Sequence, residues 1–199
     1  MNLPENISTL QYCQDNGLRI LCMNAFKFFY NGLKDIPGNY LEIGVFEGFM
    51  LRELAKKYPD RMFYGIDPFI EDGNTTGHNG IPKGEPMLEQ MAATHQNLDG
   101  LKNVKFFQQS SRSWGDELDD SSIQSLNIGA ILIDGDHGYK EASYDLGLSV
   151  RMLCNGGVIF ADDSGLPSVN LAVNEFIKKY RSRIERHSMY DHAIIYLKP

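Results

Sequence analysis

The sequence predicts an α/β fold: a mostly parallel sheet with helices on both faces. Three observations lead there. Short apolar runs recur between Tyr40 and Ala161 and alternate with stretches of helical period. These runs are apolar at consecutive positions, the pattern of strands buried on both faces. The chemically distinctive residues fall just after the runs, where an open α/β sheet binds its ligands.

Taken in order, residues 8–34 read as helical, with Leu10, Leu18, Leu21, Phe26, Phe29 and Leu33 near a helical period. Gly17 breaks this run into two helices, and Pro37-Gly38-Asn39 ends it. Tyr40 to Val45 is a strand, Phe49 to Lys57 a helix and Met62 to Ile66 a second strand. Residues 70–86 collect glycines, prolines and asparagines and read as a loop. Met87 to Leu98 is a helix and Val104 to Gln108 the third strand. Ile128 to Ile133 is the fourth strand, Tyr139 to Leu153 a helix, and Val158 to Ala161 the fifth strand. A helix follows from Ser168 to Arg183. Ser188 to Tyr190 and Ala193 to Leu197, around Asp191-His192, read as a hairpin.

Composition bounds the function. The chain has 199 residues, a length for one domain with a short appendage. Its net charge of −7 argues against a dedicated nucleic-acid or anionic-membrane binder. Cys13, Cys22 and Cys154 are scattered, which excludes a disulfide scaffold or zinc ribbon. No apolar run reaches the roughly 18 residues of a membrane span. The start lacks the grammar of a signal peptide, so a cytoplasmic protein is expected and Asn6-Ile7-Ser8 reads as a chance glycosylation pattern.

The residues after each strand carry the chemistry. Glu42-Ile43-Gly44-Val45-Phe46-Glu47-Gly48 follows the first. Its E-x-G-x-x-x-G spacing lacks the glycine pair that cradles a pyrophosphate, and the acid suits a cationic ligand. The alternative is an ordinary tight turn. Asp67 follows the second strand, 19 positions after Gly48, as does an acid that accepts ribose hydroxyls; alone it also reads as a cap. Gln109, Ser110 and Ser111 follow the third and present small polar groups to an adenine edge or start a loop. Asp134-Gly135-Asp136-His137 follows the fourth strand and Asp162-Asp163 the fifth. If those strands are neighbours, their acids converge on one hard divalent cation, Mg²⁺ first; the alternative is helix capping.

On these residues the chain resembles the class I S-adenosylmethionine-dependent methyltransferases, from about Pro37 to the end. E-x-G-x-x-x-G is similar to their first motif, Asn155-Gly156-Gly157-Val158-Ile159 to the glycine turn before their fifth strand, and the hairpin to their added C-terminal strand. IDGDHGYKEASYDL followed by GGVIFADD resembles, more narrowly, the small-molecule O-methyltransferases related to macrocin O-methyltransferase. The resemblance implies a Rossmann-like, doubly wound, mostly parallel seven-stranded sheet with an antiparallel C-terminal strand. It implies a methyltransferase domain over 37–199 behind an N-terminal helical cap over 1–36.

For the site, the resemblance implies S-adenosylmethionine as methyl donor, contacted by Glu42, Gly44, Gly48, Asp67, Gln109, Ser110 and Asp134. It implies Mg²⁺ on Asp134, Asp162 and Asp163, with Asp136 as base. His137-Gly138-Tyr139 departs from the sugar-modifying relatives, which carry a hydrophobic residue and Tyr there. That opens a metal-independent alternative with His137, or Asp136, as base. The expected acceptor is a small molecule with a hydroxyl, a sugar or catechol-like diol. The short chain leaves the loop after Ile70 and the N-terminal helices to form most of the acceptor pocket. Those helices have two places to pack, a second subunit in a homodimer or their own active site.

Two other classes compete. A nicotinamide-dependent oxidoreductase would need the absent G-x-G-x-x-G, and a non-catalytic S-adenosylmethionine-binding module would not need the acids after the fourth and fifth strands. Trp114 reads as packing or as a cover over the adenine, and His78 as an acceptor contact. His187 and His192 read as surface or structural residues of the hairpin region. The run Lys178, Lys179, Arg181, Arg183 and Arg186 reads as a solvated helix end, favourable to the helix dipole.

Overall fold

The computed structural model describes residues 23–70 and 87–199. The predicted helix at residues 8–22 with its break at Gly17, most of the loop at residues 70–86, His78, Cys13 and Cys22 lie outside the described residues.

The elements in chain order are α1 (Met23–Gly32), a short 3-10 turn (Leu33–Asp35), β1 (Asn39–Ile43), α2 (Phe49–Lys57), β2 (Phe63–Ile66), α3 (Leu88–Leu98) and β3 (Val104–Phe107). Then come α4 (Ser111–Glu117), α5 (Asp120–Leu126), β4 (Ile128–Ile133), α6 (Tyr139–Met152), β5 (Leu153–Ala161), α7 (Pro167–Lys179), β6 (Ile184–Met189) and β7 (Ala193–Leu197). The sheet has seven strands in the order β3-β2-β1-β4-β5-β7-β6. Strands β1 to β5 are mutually parallel, and β7 runs antiparallel between β5 and β6. This is the Rossmann-like sheet with an antiparallel C-terminal strand.

The unbroken apolar runs have a direct physical cause. All six residues of β4 are buried. Ile131 and Ile133 point to one face, packing with Leu146 and Val150 of α6 and Val173 of α7. Ala130 and Leu132 point to the other, packing with Phe26 and Phe29 of α1 and Leu51 and Leu54 of α2. Because successive side chains alternate across a strand, both faces need apolar residues. Helix α1 is thus half of the second face: Phe29 meets Tyr40 at 5.1 Å and Phe160 at 6.0 Å between ring centroids.

Helices α4 and α5 are not visible in the hydrophobic periodicity, because each has seven residues and is rich in Ser and Asp. Their signal is capping: Ser110 Oγ accepts from the Ser113 N–H at 3.1 Å, and Asp119 Oδ1 accepts from the Ser122 N–H at 2.7 Å. Strand β5 begins at Leu153, earlier than the glycine turn suggests. Its pairing jumps from Ile128↔Leu153 to Ala130↔Val158, so residues 154–157 bulge from the ladder around Gly156 at φ 76°. Among the described residues no helix is long and apolar enough to cross a membrane.

Strand register sets up the site. Phe107, Ile66, Ile43, Ile133 and Ala161 form one row across the five parallel strands at their carboxyl ends. The next residues therefore emerge side by side. Strand order reverses between β1 and β4, so a crevice opens between Gly44 and Asp134.

Candidate functional site

A cavity of about 640 Å³ fills that crevice, lined by Glu42, Gly44, Gly48, Asp67, Asp134, Asp136, His137, Asp162 and Asp163 among others. Ser110 also lines it, while Gln109 stands outside the lining. No residue of α1 lines it. The expectation that the N-terminal helices build much of the pocket fails for their described part, which the aromatic core holds against β1 and β5.

The loop after β1 is built by close backbone contact. Gly44 has φ 86°, and a Cβ there would stand 2.0 Å from the Asp134 carbonyl oxygen. Glycine is needed so that the chain leaving β4 can pass, more than for a ligand. Gly48 has φ 74° and precedes α2; its missing Cβ faces Thr94 Cγ2 at 3.2 Å, on α3. Helix α3 also holds the loop directly. The Thr94 hydroxyl donates to the Phe46 carbonyl, and Asn97 Nδ2 donates to the Glu47 carbonyl at 2.8 Å. Thr94 and Asn97 carry no sequence signal beyond their place on a helix.

Asp67 is committed to the same loop. Its Oδ2 accepts from the Val45 and Phe46 N–H groups at 2.8 and 3.0 Å, and its Oδ1 accepts from the Phe69 N–H at 2.7 Å. A carboxylate offers about four acceptor sites, so three N–H bonds leave room for about one ribose hydroxyl. Burial raises the Asp67 carboxyl above its usual range, against the pull of those three N–H groups.

Glu42 projects to the α1 face, 3% exposed, with Tyr40 donating its hydroxyl to Oε2 at 3.2 Å. Burial, then Asp134, lifts its carboxyl well above the usual range. Asp134 is raised in the same way, by burial first and then by Asp162, Asp163 and Asp67. Three acids that resist ionisation thus share one cavity. Each would ionise more readily beside a cation.

The acids after β4 and β5 converge in part. One ligand atom each of Asp134, His137 and Asp163 lie within 4.8 Å of one another. His137 Nε2 is 2.9 Å from Asp163 Oδ2, and Ser168 Oγ donates to the His137 carbonyl at 2.6 Å. Asp163 adopts φ 50°, which turns the chain between β5 and α7. Asp162 lines the cavity but is not part of that triad, where His137 takes the third place. Asp136 Oδ1 accepts from the Gly138 N–H at 2.6 Å, which fixes the turn into α6.

A buried acid of the cavity lay outside the sequence reading. Asp145, on α6, is 2% exposed and accepts the Ser111 hydroxyl at 2.5 Å. Burial pushes its carboxyl up to about 7. Its signal was an acid in the buried stripe Ala142, Asp145, Leu146 and Ser149 of α6. Trp114 is 3% exposed and packs on Phe107 at 5.3 Å, so it belongs to the core. His192 stacks on Phe160 at 4.8 Å, and His187 is exposed on β6.

A family described as a methyltransferase domain matches residues 41–164. No curated protein matches the chain in sequence. Solved structures share the fold. The calicheamicin methyltransferase CalS11 is 16% identical, with a TM-score of 0.64 over 96% of this chain and 86% of its own. The O-methyltransferase NovP is 19% identical, with a TM-score of 0.60 over 88% of this chain and 77% of its own. TomG from Streptomyces achromogenes, an O-methyltransferase solved with S-adenosylmethionine, is 12% identical, with a TM-score of 0.57 over 96% and 88%. At these identities the likeness speaks for the fold.

Proposed function

We propose, from the premise that the chain belongs to the methyltransferase-domain family, that it methylates a hydroxyl oxygen of a small molecule with help from a divalent cation. The premise itself is plain, since residues 41–164 are well over half of the chain. The chain is an S-adenosylmethionine-dependent methyltransferase. The oxygen acceptor and the cation are the proposal, and the convergence of Asp134, His137 and Asp163 carries it.

The cavity volume of about 640 Å³ lies in the range of small-molecule sites. The methyl donor is a sulfonium. The carboxyls of Glu42, Asp67 and Asp134 line the cavity and complement the sulfonium in their ionised forms, which a cation favours. The loop at residues 44–48, clamped by Asp67 and α3, supports the donor against β1. The side beyond Asp134 and His137 is left for the acceptor. Holding the acceptor oxygen in line with the S–CH₃ bond is a positioning task, which can supply several kcal/mol of the barrier.

The donor set fits a divalent cation. Two carboxylates and an imidazole suit Mg²⁺ less selectively than three carboxylates would, and Mn²⁺ equally well. Such an ion, when bound, would supply Lewis-acid activation of the acceptor hydroxyl. Asp134 and Asp163 would hold it from neighbouring strand ends, with His137 as the third donor. Asp136, which lines the cavity and accepts from the Gly138 N–H, takes the acceptor's proton in this reading. Two vicinal oxygens, as in a catechol or sugar diol, would chelate the ion best.

A second reading rests on the 2.9 Å contact between His137 Nε2 and Asp163 Oδ2. It makes His137 the base and Asp163 its orienting partner, with no metal. Chelation separates the two. Turnover of S-adenosylmethionine with catechol and sugar-diol acceptors, lost in EDTA and restored by Mg²⁺ or Mn²⁺, supports the cation. Turnover unchanged in EDTA assigns the chemistry to His137. No methylated oxygen with any hydroxyl acceptor overturns the proposal in both forms.

A further inference from the structure

Asp162 is an acid of the cavity that the proposed mechanism leaves without a task, since His137 takes its expected place in the triad. Its backbone N–H donates to the Ile133 carbonyl at 2.9 Å, which sets it beside Asp134 at the end of β5. That is the side of Asp134 away from β1, the half left for the acceptor. Asp162 is half-buried, and its charge acts on Asp134 more strongly than that of Asp163. No hydrogen bond or ion pair reaches its carboxylate among the described residues. The other acids on this half are engaged. Asp163 meets His137 at 2.9 Å, Asp136 accepts from the Gly138 N–H at 2.6 Å, and Glu141 meets Arg112 at 3.7 Å.

The charge of the whole cavity restricts what Asp162 can receive. Nine acidic residues line it, and among the described residues neither Lys nor Arg does. All nine fall within residues 41–164, the span of the methyltransferase-domain match, so the cavity is a ligand site on grounds other than its charge. A sulfonium and a divalent ion bring three positive charges. Burial raises Glu42, Asp67, Asp134 and Asp145, which keeps part of the lining neutral, and the other five acids still outnumber those charges. An acceptor with a carboxylate or phosphate would meet uncompensated negative charge, whereas one with an ammonium group would be drawn in.

We infer that the acceptor carries a protonated amino group beside its reacting hydroxyl, and that Asp162 is the specificity residue that pairs with it. The inference rests on the oxygen-acceptor reading above and narrows its substrate class to amine-bearing diols. An ammonium has three donors and no acceptor, and a carboxylate only accepts, so the two match in charge and in hydrogen bonding. An anionic analogue of the same shape is rejected by the same carboxylate.

The test is steady-state turnover of S-adenosylmethionine with Mg²⁺ or Mn²⁺ at neutral pH and two matched acceptor series. One is dopamine, 4-methylcatechol and 3,4-dihydroxyphenylacetate; the other is glucosamine, glucose and glucuronate. The expected order of kcat/KM is cationic, neutral, anionic, with at least about tenfold between the ends, carried mainly by KM. Asp162→Asn lowers the ratio of cationic to neutral acceptor severalfold, and Asp162→Glu, which keeps the charge, restores it. Should Asp162→Asn not fold, the Asp162→Glu ratio and the wild-type order still decide. Equal kcat/KM for the three members of a series, or a preference for the anionic one, overturns the inference and leaves the oxygen-acceptor reading standing. An unchanged ratio in Asp162→Asn, with all acceptors slowed alike, assigns the residue to the cation or the fold and also overturns it. A wild type that methylates none of the six overturns the oxygen-acceptor reading, and the inference falls with it.

Discussion

Asp67 Oδ2 stands 2.8 Å from the Val45 backbone N–H and holds the loop after β1 from the neighbouring strand. The same carboxylate takes the Phe46 and Phe69 N–H groups. An acid placed to hold a ribose therefore also shapes the loop the ligand rests on. Asp67→Ala strands three N–H groups and should destabilise the fold by roughly 2–4 kcal/mol. Affinity for S-adenosylhomocysteine should fall as well. Asp67→Asn, whose single oxygen can serve only part of the set, should lie between. Urea unfolding and calorimetric titration check both, and unchanged stability in Asp67→Ala would refute the clamp.

Gly44→Ala should be among the most damaging single changes at the site. It meets a backbone oxygen, Asp134 O, at 2.0 Å and a left-handed φ together. The strand ends must separate or the loop must refold, at a cost on the order of 2–4 kcal/mol. Gly48→Ala meets only side-chain carbons of Thr94 and Leu98, at 3.2 to 3.5 Å. It keeps the cost of its positive φ, about 1 kcal/mol. Thermal unfolding of the two variants should rank them in that order.

The buried acids predict how donor affinity depends on pH. Glu42, Asp67 and Asp134 are all raised, so they carry protons at pH values where ordinary carboxyls are ionised. They ionise as pH rises, and only their ionised forms attract a sulfonium. Affinity for S-adenosylmethionine relative to uncharged S-adenosylhomocysteine should therefore climb as pH rises above the ordinary carboxyl range, by about tenfold or more. A ratio that stays flat would show that the acids do not face the sulfonium.

Asp145 predicts a pH-dependent stability. Its carboxyl is at about 7 in the fold against an ordinary 3.8. Below about pH 4 folded and unfolded chains both hold the proton, and the burial costs nothing. From there to about pH 7 the unfolded chain ionises and the folded one does not, so stability falls by on the order of 3–4 kcal/mol and then levels off. Asp145→Asn removes this slope. Its stability relative to the wild type should rise with pH over that window, as read by urea unfolding at several pH values.

The triad predicts unequal roles for the adjacent acids after β5. Asp163→Asn removes a member of the Asp134, His137 and Asp163 cluster, whereas Asp162→Asn does not. Turnover supported by Mn²⁺ should drop by about tenfold to a hundredfold in the first and clearly less in the second. A larger loss in Asp162→Asn would move the cation to the sequence-expected set.

The sequence by itself determined the sheet and the place of the site. Runs such as Ile128 to Ile133 are apolar throughout because both faces are covered, so their ends mark where strands stop. With the ends in one row, Gly44, Asp67, Asp134 and Asp162 had to emerge together. The tertiary structure decided what each residue does there. Asp163 and not Asp162 reaches His137, because one step along the chain reverses a side chain's direction and φ 50° at Asp163 turns the backbone. Gly44 and Gly48 answer to Asp134 and Thr94, partners 90 and 46 positions away in the chain. Asp145 reaches the cavity because α6 packs against α4 and β4, and Ser111 waits there. Local patterns record which residues avoid water, whereas charge partners and close approaches are set by packing between distant segments.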